Sequence, residues 1–182
     1  MDNTKFYQEL FASVEEAIGP IDRDTIVAIV GFDLGGPLNF CTIGRAAGGP
    51  FVTYVSCELA VRDGQLPGEL GRYELLASCD DEKWVRSILS DIGRMSFDAA
   101  FGPGHTLDIG PWVEPSDAIQ GVVFEKAATA KIDGTPYGIL RCIGVTRPEL
   151  VFAQRSGVPK LLRRLAAAGM YPHTAVSRKS VV

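Results

Sequence analysis

The chain has 182 residues, of which 46% are hydrophobic and 22% charged, and its formal net charge is −4 at pH 7. These values suit one soluble globular domain over residues 1–182, and the negative charge gives no support to nucleic-acid binding, which usually needs a basic face. No apolar run is long enough for a membrane helix, and no basic start followed by an apolar core marks a signal peptide, so a cytoplasmic location is expected.

The first half of the chain predicts one helix, several strands and a second helix. Residues 4–18 repeat apolar side chains at helical spacing. Residues 25–32, 38–43, 51–61 and 72–79 are rich in β-branched or alternating apolar residues, as in strands. Asp80 or Asp81 is placed to cap a helix that runs to about Met95, with Trp84 on its apolar stripe.

The second half predicts a hairpin followed by two helices. Residues 105–109 form a short predicted strand, and residues 119–128 and 131–145 form the hairpin, with Asp133-Gly134 as its turn. Thr146 and Glu149 have the spacing of a capping box, in which the Glu149 carboxylate accepts the Thr146 N–H. We expect Glu149→Ala to cost about 1 kcal/mol of stability. Gly157 ends the first of these helices, and Pro159 begins the second.

The order of these elements indicates an α+β fold in a single domain. Strands precede and follow helices without regular βαβ alternation, and the hairpin turn favours antiparallel neighbours. We therefore predict a mixed, mostly antiparallel sheet, with the helices packed against it on one side. The oligomeric state is not indicated by the sequence.

The residues that commonly perform catalysis or bind metals show no clear arrangement. Cys142 is the best candidate nucleophile, and His105 or a glutamate could assist it in a hydrolase-like enzyme. However, Cys142 lies in an apolar strand, where burial would raise the pKa of its thiol. With only two histidines and no ligand spacing, no metal or other cofactor is expected.

An ordered set of segments resembles the suppressor of fused family, in its single-domain bacterial members and in the N-terminal domain of the animal protein. The matching segments include GRYELLASC, the Trp84 helix, GPGHTL, IDGTPYGILRCIGVTRPELVFAQ and YPHTAVSRKSVV. They extend from about Val52 to the C-terminus.

This resemblance implies a non-catalytic protein-binding domain. The animal protein sequesters a transcription factor by binding a short peptide as an added strand. Bacterial relatives resemble immunity proteins that bind and neutralise a toxin domain. The resemblance therefore implies a protein partner for this chain, either a toxin domain or a peptide segment, and the chain's acidity would suit a basic partner.

Five residues form the partner-binding surface that we predict. Glu58, Glu74 and Glu125 each interrupt a predicted strand, so they could meet on one face of the sheet, although an outward solvated face would have the same pattern. His105 and Thr106 lie in a glycine-rich segment, which we expect to lie beside these glutamates. A partner could add a strand at an open edge here, with the glutamates speeding its association.

Overall fold

The structure is a computed structural model that describes residues 3–22, 38–44, 49–132 and 134–182. The predicted strand over residues 25–32 and Asp133 of the predicted hairpin turn lie outside these residues. The helices are α1 (Asn3–Ala17), α2 (Glu82–Met95), α3 (Arg147–Ser156) and α4 (Val158–Ala167). The strands are β1 (Ile21–Asp22), β2 (Phe40–Ile43), β3 (Val52–Ser56), β4 (Tyr73–Cys79), β5 (Thr106–Asp108), β6 (Ile119–Ile132), β7 (Thr135–Thr146) and β8 (His173–Thr174).

The strands form one mixed sheet, and its order explains how the chain is folded. Seven strands lie in the order β1-β2-β3-β4-β7-β6-β5, and β8 pairs with β4 beyond the point where β7 leaves it. The β4–β7 and β4–β8 pairs are parallel, whereas the other neighbours are antiparallel. The predicted fold class, a single α+β domain with a mixed and mostly antiparallel sheet, is confirmed.

Helices cover both faces of the sheet, so the prediction that they pack on one side is wrong. Leu75 of β4 packs with the apolar stripe of α2, whereas its neighbour Leu76 belongs to the cluster that contains Leu10 of α1. Successive residues of a strand point to opposite faces. The helices α3 and α4 lie on the same face as α1. On β7, Ile139 packs in the α1 cluster and Ile143 in the α3–α4 cluster, and residues four positions apart on a strand point to the same face.

Two of the departures from the predicted strands have a tertiary reason. The strand predicted over residues 51–61 ends at Ser56, because the Glu74 carboxylate accepts the N–H groups of Leu59 and Ala60 and holds residues 57–60 in a turn. The short strand β8 was not predicted. It fills the gap between β4 and β7, where Thr174 Oγ1 accepts the N–H of Gly144 at 2.8 Å.

The C-terminal tail is held by a buried ion pair at the start of α3. Glu149 is fully buried, its Oε2 accepts the Thr146 N–H at 2.8 Å, and both of its oxygens contact the Arg178 guanidinium at 2.6 Å. Arg178 also donates to the carbonyl of Gly144 at 3.1 Å. The predicted helix start with Glu149 as a capping residue is confirmed. In the part of the chain that the structure describes, no helix is long and apolar enough to cross a membrane.

Candidate functional site at the open edge of the sheet

The strand β5 is the last strand of the sheet, and its outer side has no strand partner among the described residues. On its inner side, the carbonyl of His105 accepts the Phe124 N–H, and the Ile109 N–H donates to the Gln120 carbonyl, both at 3.1 Å. Hydrogen bonding alternates along an antiparallel strand, so the main-chain groups of Thr106 point away from β6. This edge can therefore accept one more strand.

A groove lies beside this edge, between the segment that enters β5 and the end of α3. Its volume is about 520 Å³, and its side chains are mixed polar and apolar. His105 is exposed and Thr106 half-buried. The residues that line the groove are Ala100, Phe101, Gly104, His105, Thr106, Ala153, Gln154 and Gly157.

The far end of β5 carries a bidentate ion pair with the first turn of α3. Arg147 Nη1 lies 2.5 Å from Asp108 Oδ2, and Arg147 Nη2 lies 2.8 Å from Asp108 Oδ1. Hydrogen bonding from the guanidinium holds the pKa of the Asp108 carboxyl below its usual range. Both side chains are about half exposed, so the pair positions α3 against the edge rather than contributing much stability.

Glu74 lies in the interior, not on an accessible surface. It is 0% exposed because β4 is central and both faces of the sheet are covered by helices. Its carboxylate accepts the Ser56 hydroxyl at 2.5 Å and the N–H groups of Leu59 and Ala60 at 3.1 and 2.8 Å. Burial raises the pKa of Glu74 to about 7, although these three donors oppose the shift.

Glu58 and Glu125 also have partners within the chain. Glu58 is 3% exposed and accepts the N–H of Asn39 at 2.9 Å, and it pairs with Arg62. Glu125 is part-buried and contacts Arg141 Nη1 at 2.8 Å and the Tyr171 hydroxyl at 2.9 Å.

The structure does not gather the five predicted residues into one surface. Glu74 and Glu125 share a face of the sheet, but α1, α3 and α4 cover that face. His105 and Thr106 lie at the β5 edge, separated from β4 by β7 and β6 and therefore by about 14 Å. Only these two of the five residues line the groove. Whether any of the five binds a partner stays a prediction.

Cys142 does not form a nucleophile–base pair with His105. Cys142 is buried, and burial raises the pKa of its thiol far above its ordinary value. Its sulfur contacts the carbonyl of Leu140 at 3.9 Å, whereas His105 is exposed. A thiol of this kind is a poor nucleophile, so the geometry gives no support to the cysteine hydrolase alternative.

Comparison with known proteins assigns the family. The family model described as "Suppressor of fused protein (SUFU)" matches residues 36–179. The chain belongs to the suppressor of fused family. A search of curated proteins found no match. The suppressor of fused fold is that of a protein-interaction domain, so the coarse prediction of a protein-binding fold is confirmed.

Solved structures of suppressor of fused proteins share this architecture. A chain in the Sufu–Fu complex matches with a TM-score of 0.71 at 15% identity, covering 96% of this chain and 91% of that one. Drosophila Suppressor of Fused matches with a TM-score of 0.69 at 15% identity, and 96% of this chain covers 50% of it. A suppressor of fused homologue from Neisseria gonorrhoeae matches with a TM-score of 0.64 at 18% identity, covering 98% of both chains.

Several residues at this edge were not predicted from the sequence. Asp108 and Arg147 are 39 positions apart, and the sequence analysis gave Gln154 no role in binding. No local pattern links α3 to β5, because their contact depends on how the β6–β7 hairpin returns the chain to the edge. The glycine-flanked GPGHTL segment was the only sequence signal for this place.

Proposed function

We propose that this protein is a non-catalytic binding domain that takes a peptide segment of a protein partner as an added strand along β5. The observation that supports this most directly is the outer edge of β5, which has no strand partner among the described residues and lies beside a groove lined by His105 and Thr106. Main-chain hydrogen bonds at the edge would supply affinity, and the groove would select the partner's side chains.

The finer role that we propose is that of a cytoplasmic bacterial immunity protein, which binds a toxin domain and neutralises it. Likeness to a bacterial family member of the same length supports this role, as does the net charge of −4, which would attract a basic toxin.

The three predicted glutamates have a different role from His105 and Thr106. Glu58, Glu74 and Glu125 already have hydrogen-bonding partners within the chain. We propose that they affect binding by holding the sheet in shape. Replacing Glu74 and Glu125 together by Gln would then alter stability before it altered the rate of association.

Thr106→Pro tests the edge directly. Proline would remove a main-chain donor that points away from β6, so the β5–β6 hydrogen bonds would be kept while strand addition is blocked. Thr106→Ala is the matched control, because it keeps the N–H. Wild type and both variants would be used as bait in lysate of the source organism, with bound proteins identified by mass spectrometry. The partner would then be purified and its affinity for each variant measured.

We expect one partner that binds wild type and Thr106→Ala alike and binds Thr106→Pro at least about tenfold more weakly. Equal affinity for all three folded proteins would refute the edge site. The immunity role has a separate test, in which the partner is expressed in a susceptible bacterium with and without this protein. Continued growth inhibition in the presence of wild type would exclude neutralisation while leaving the binding site intact.

A further inference from the structure

Charge is strongly segregated along this chain. Residues 150–182 contain six basic residues and no acidic residue, whereas residues 1–149 contain twelve basic and twenty-two acidic ones. The C-terminal segment therefore has a formal charge of +6 within a protein whose net charge is −4. This segment holds α4 and most of α3.

Four of these basic residues form an exposed surface on α3 and α4, which we call the basic surface: Arg155, Lys160, Arg163 and Arg164. In α4, Val158, Leu161 and Leu165 are buried against the sheet. The three basic residues of α4 share the outer side of the helix, because their spacing is i, i+3 and i+4: Lys160, Arg163 and Arg164.

The basic surface has no acidic partner among the residues that the structure describes. Within the described residues, none of its four side chains forms a salt bridge, whereas the exposed Arg94 and Arg147 and the half-buried Arg72 and Arg86 each do. Arg86 pairs with Glu82, and Arg94 with Asp91, each within one or two turns of the same helix. The Arg164 guanidinium instead lies over the Phe152 ring, 4.5 Å from its centroid. This stacking holds one cation across the α3–α4 junction while Arg164 stays exposed.

We infer that the basic surface binds an acidic segment of a protein partner, at a site distinct from the proposed β5 edge. Carboxylates on a partner would supply the counter-charges that the described residues do not provide. A nucleic acid fits less well, because the remaining −10 charge would repel phosphates and no exposed aromatic ring on α4 offers base stacking. An anionic membrane also fits less well, because the exposed large apolar side chains of the described residues, Leu66, Trp112 and Val182, lie outside α3 and α4.

Fluorescence anisotropy with a labelled acidic peptide tests the inference. The probe is a glutamate–alanine peptide of about twelve residues, and the same peptide with glutamine in place of glutamate is the neutral reference. We expect the acidic peptide to bind wild type more tightly than the neutral one and to weaken as salt rises. The triple variant Lys160→Glu, Arg163→Glu and Arg164→Glu should bind the acidic peptide at least about tenfold more weakly.

A second triple variant separates the surface from net charge. Lys5→Glu, Lys83→Glu and Lys131→Glu change the charge by the same amount at exposed positions on α1, α2 and β6. This variant should lose much less affinity than the α4 variant, with circular dichroism showing that both are folded. If the α4 variant has lost its helix, the milder Lys160→Gln and Arg163→Gln pair replaces it.

Four outcomes would overturn the inference. Two concern the peptide: both triple variants lose the same affinity for the acidic peptide, or wild type binds the acidic and the neutral peptide equally well. The other two concern another occupant: wild type binds single-stranded DNA or phosphatidylserine vesicles more tightly than it binds the acidic peptide, or wild type self-associates and the α4 variant does not. The last would assign the surface to a second copy of this chain. The Thr106→Pro variant should bind the acidic peptide as wild type does, so failure here is distinguishable from failure of the β5 site.

Discussion

At the scale of single residues, Glu74 is a carboxyl whose burial could not be recognised from its neighbours in the sequence. It is fully buried in β4, and burial raises its pKa to about 7 from an ordinary value of 4.5. The folded state therefore holds the Glu74 proton more tightly than the unfolded state does. The stability that this proton contributes is fully present below pH 4.5 and is lost as the pH rises to about 7.

We predict that Glu74→Gln removes this pH dependence. Wild type should lose on the order of 2–3 kcal/mol relative to the variant between about pH 4.5 and pH 7.5. Urea unfolding across this range would measure it. The substitution also replaces an accepting carboxyl oxygen by a donating amide group, which changes the absolute stability of the variant. The test is therefore the difference between the slopes of unfolding free energy against pH. Glu69→Gln, at an exposed position, should keep the wild-type slope. Parallel curves for wild type and Glu74→Gln would show that the three donors keep the carboxylate charged throughout.

At the scale of elements, the start of α3 is more than a helix cap. The sequence pattern predicts a loss of about 1 kcal/mol for Glu149→Ala, from the cap alone. In the structure, the same carboxylate is 0% exposed, accepts the Val181 N–H at 2.9 Å and pairs with Arg178. Although burial alone would raise the pKa of Glu149, hydrogen bonds from the guanidinium and the two amides hold it below its ordinary value.

We predict that Arg178→Ala lowers the free energy of unfolding by about 3–5 kcal/mol, because it leaves a buried carboxylate without its partner. Glu149→Ala should cost a similar amount, and the double variant should cost less than the sum of the two. Urea denaturation would give all three values. Arg147→Ala, which breaks the half-exposed pair between the first residue of α3 and Asp108 of β5, should cost far less than Arg178→Ala. A loss of only about 1 kcal/mol for Glu149→Ala would mean that the cap alone matters.

At the scale of the whole molecule, the hydrophobic clusters are joined through shared strands. On β7, Leu140 packs in the α2 cluster, Ile139 in the α1 cluster and Ile143 in the α3–α4 cluster. Loss of any one cluster would therefore expose the same central strands to water. Such sharing favours cooperative unfolding.

We predict that residues 1–182 unfold in one transition. Trp84 of α2 packs against the α2 cluster, whereas Trp112 is exposed, so the change in tryptophan fluorescence reports mainly on the α2 side of the sheet. Far-ultraviolet circular dichroism reports on all helices. The two probes should give coincident midpoints in urea. Separate midpoints would contradict a single domain. A variant lacking residues 1–20 would then test whether α1, which lies outside the residues matched by the family model, is the part that unfolds independently.

The sequence by itself determined those features that depend on neighbours along the chain. Capping and periodicity are local, so the sequence predicted four features of the fold. These are the helix that Asp81 caps, the strand β4 with Tyr73 and Leu75 on one face, the long hairpin and the start of α3. The ordered motifs also pointed to the suppressor of fused family, which the family match confirms.

Only the tertiary structure decided which surfaces are covered and which edge is open. A period of two shows that Glu74 and Leu76 share a face of β4, but not that α1 lies over that face. The parallel β4–β7 pair, the insertion of β8 and the pairing of Glu149 with Arg178, 29 residues away, all depend on long-range contacts. Because the free energy of such contacts depends on strand order, the accessibility of the glutamates and of the β5 edge could not be inferred from local spacing.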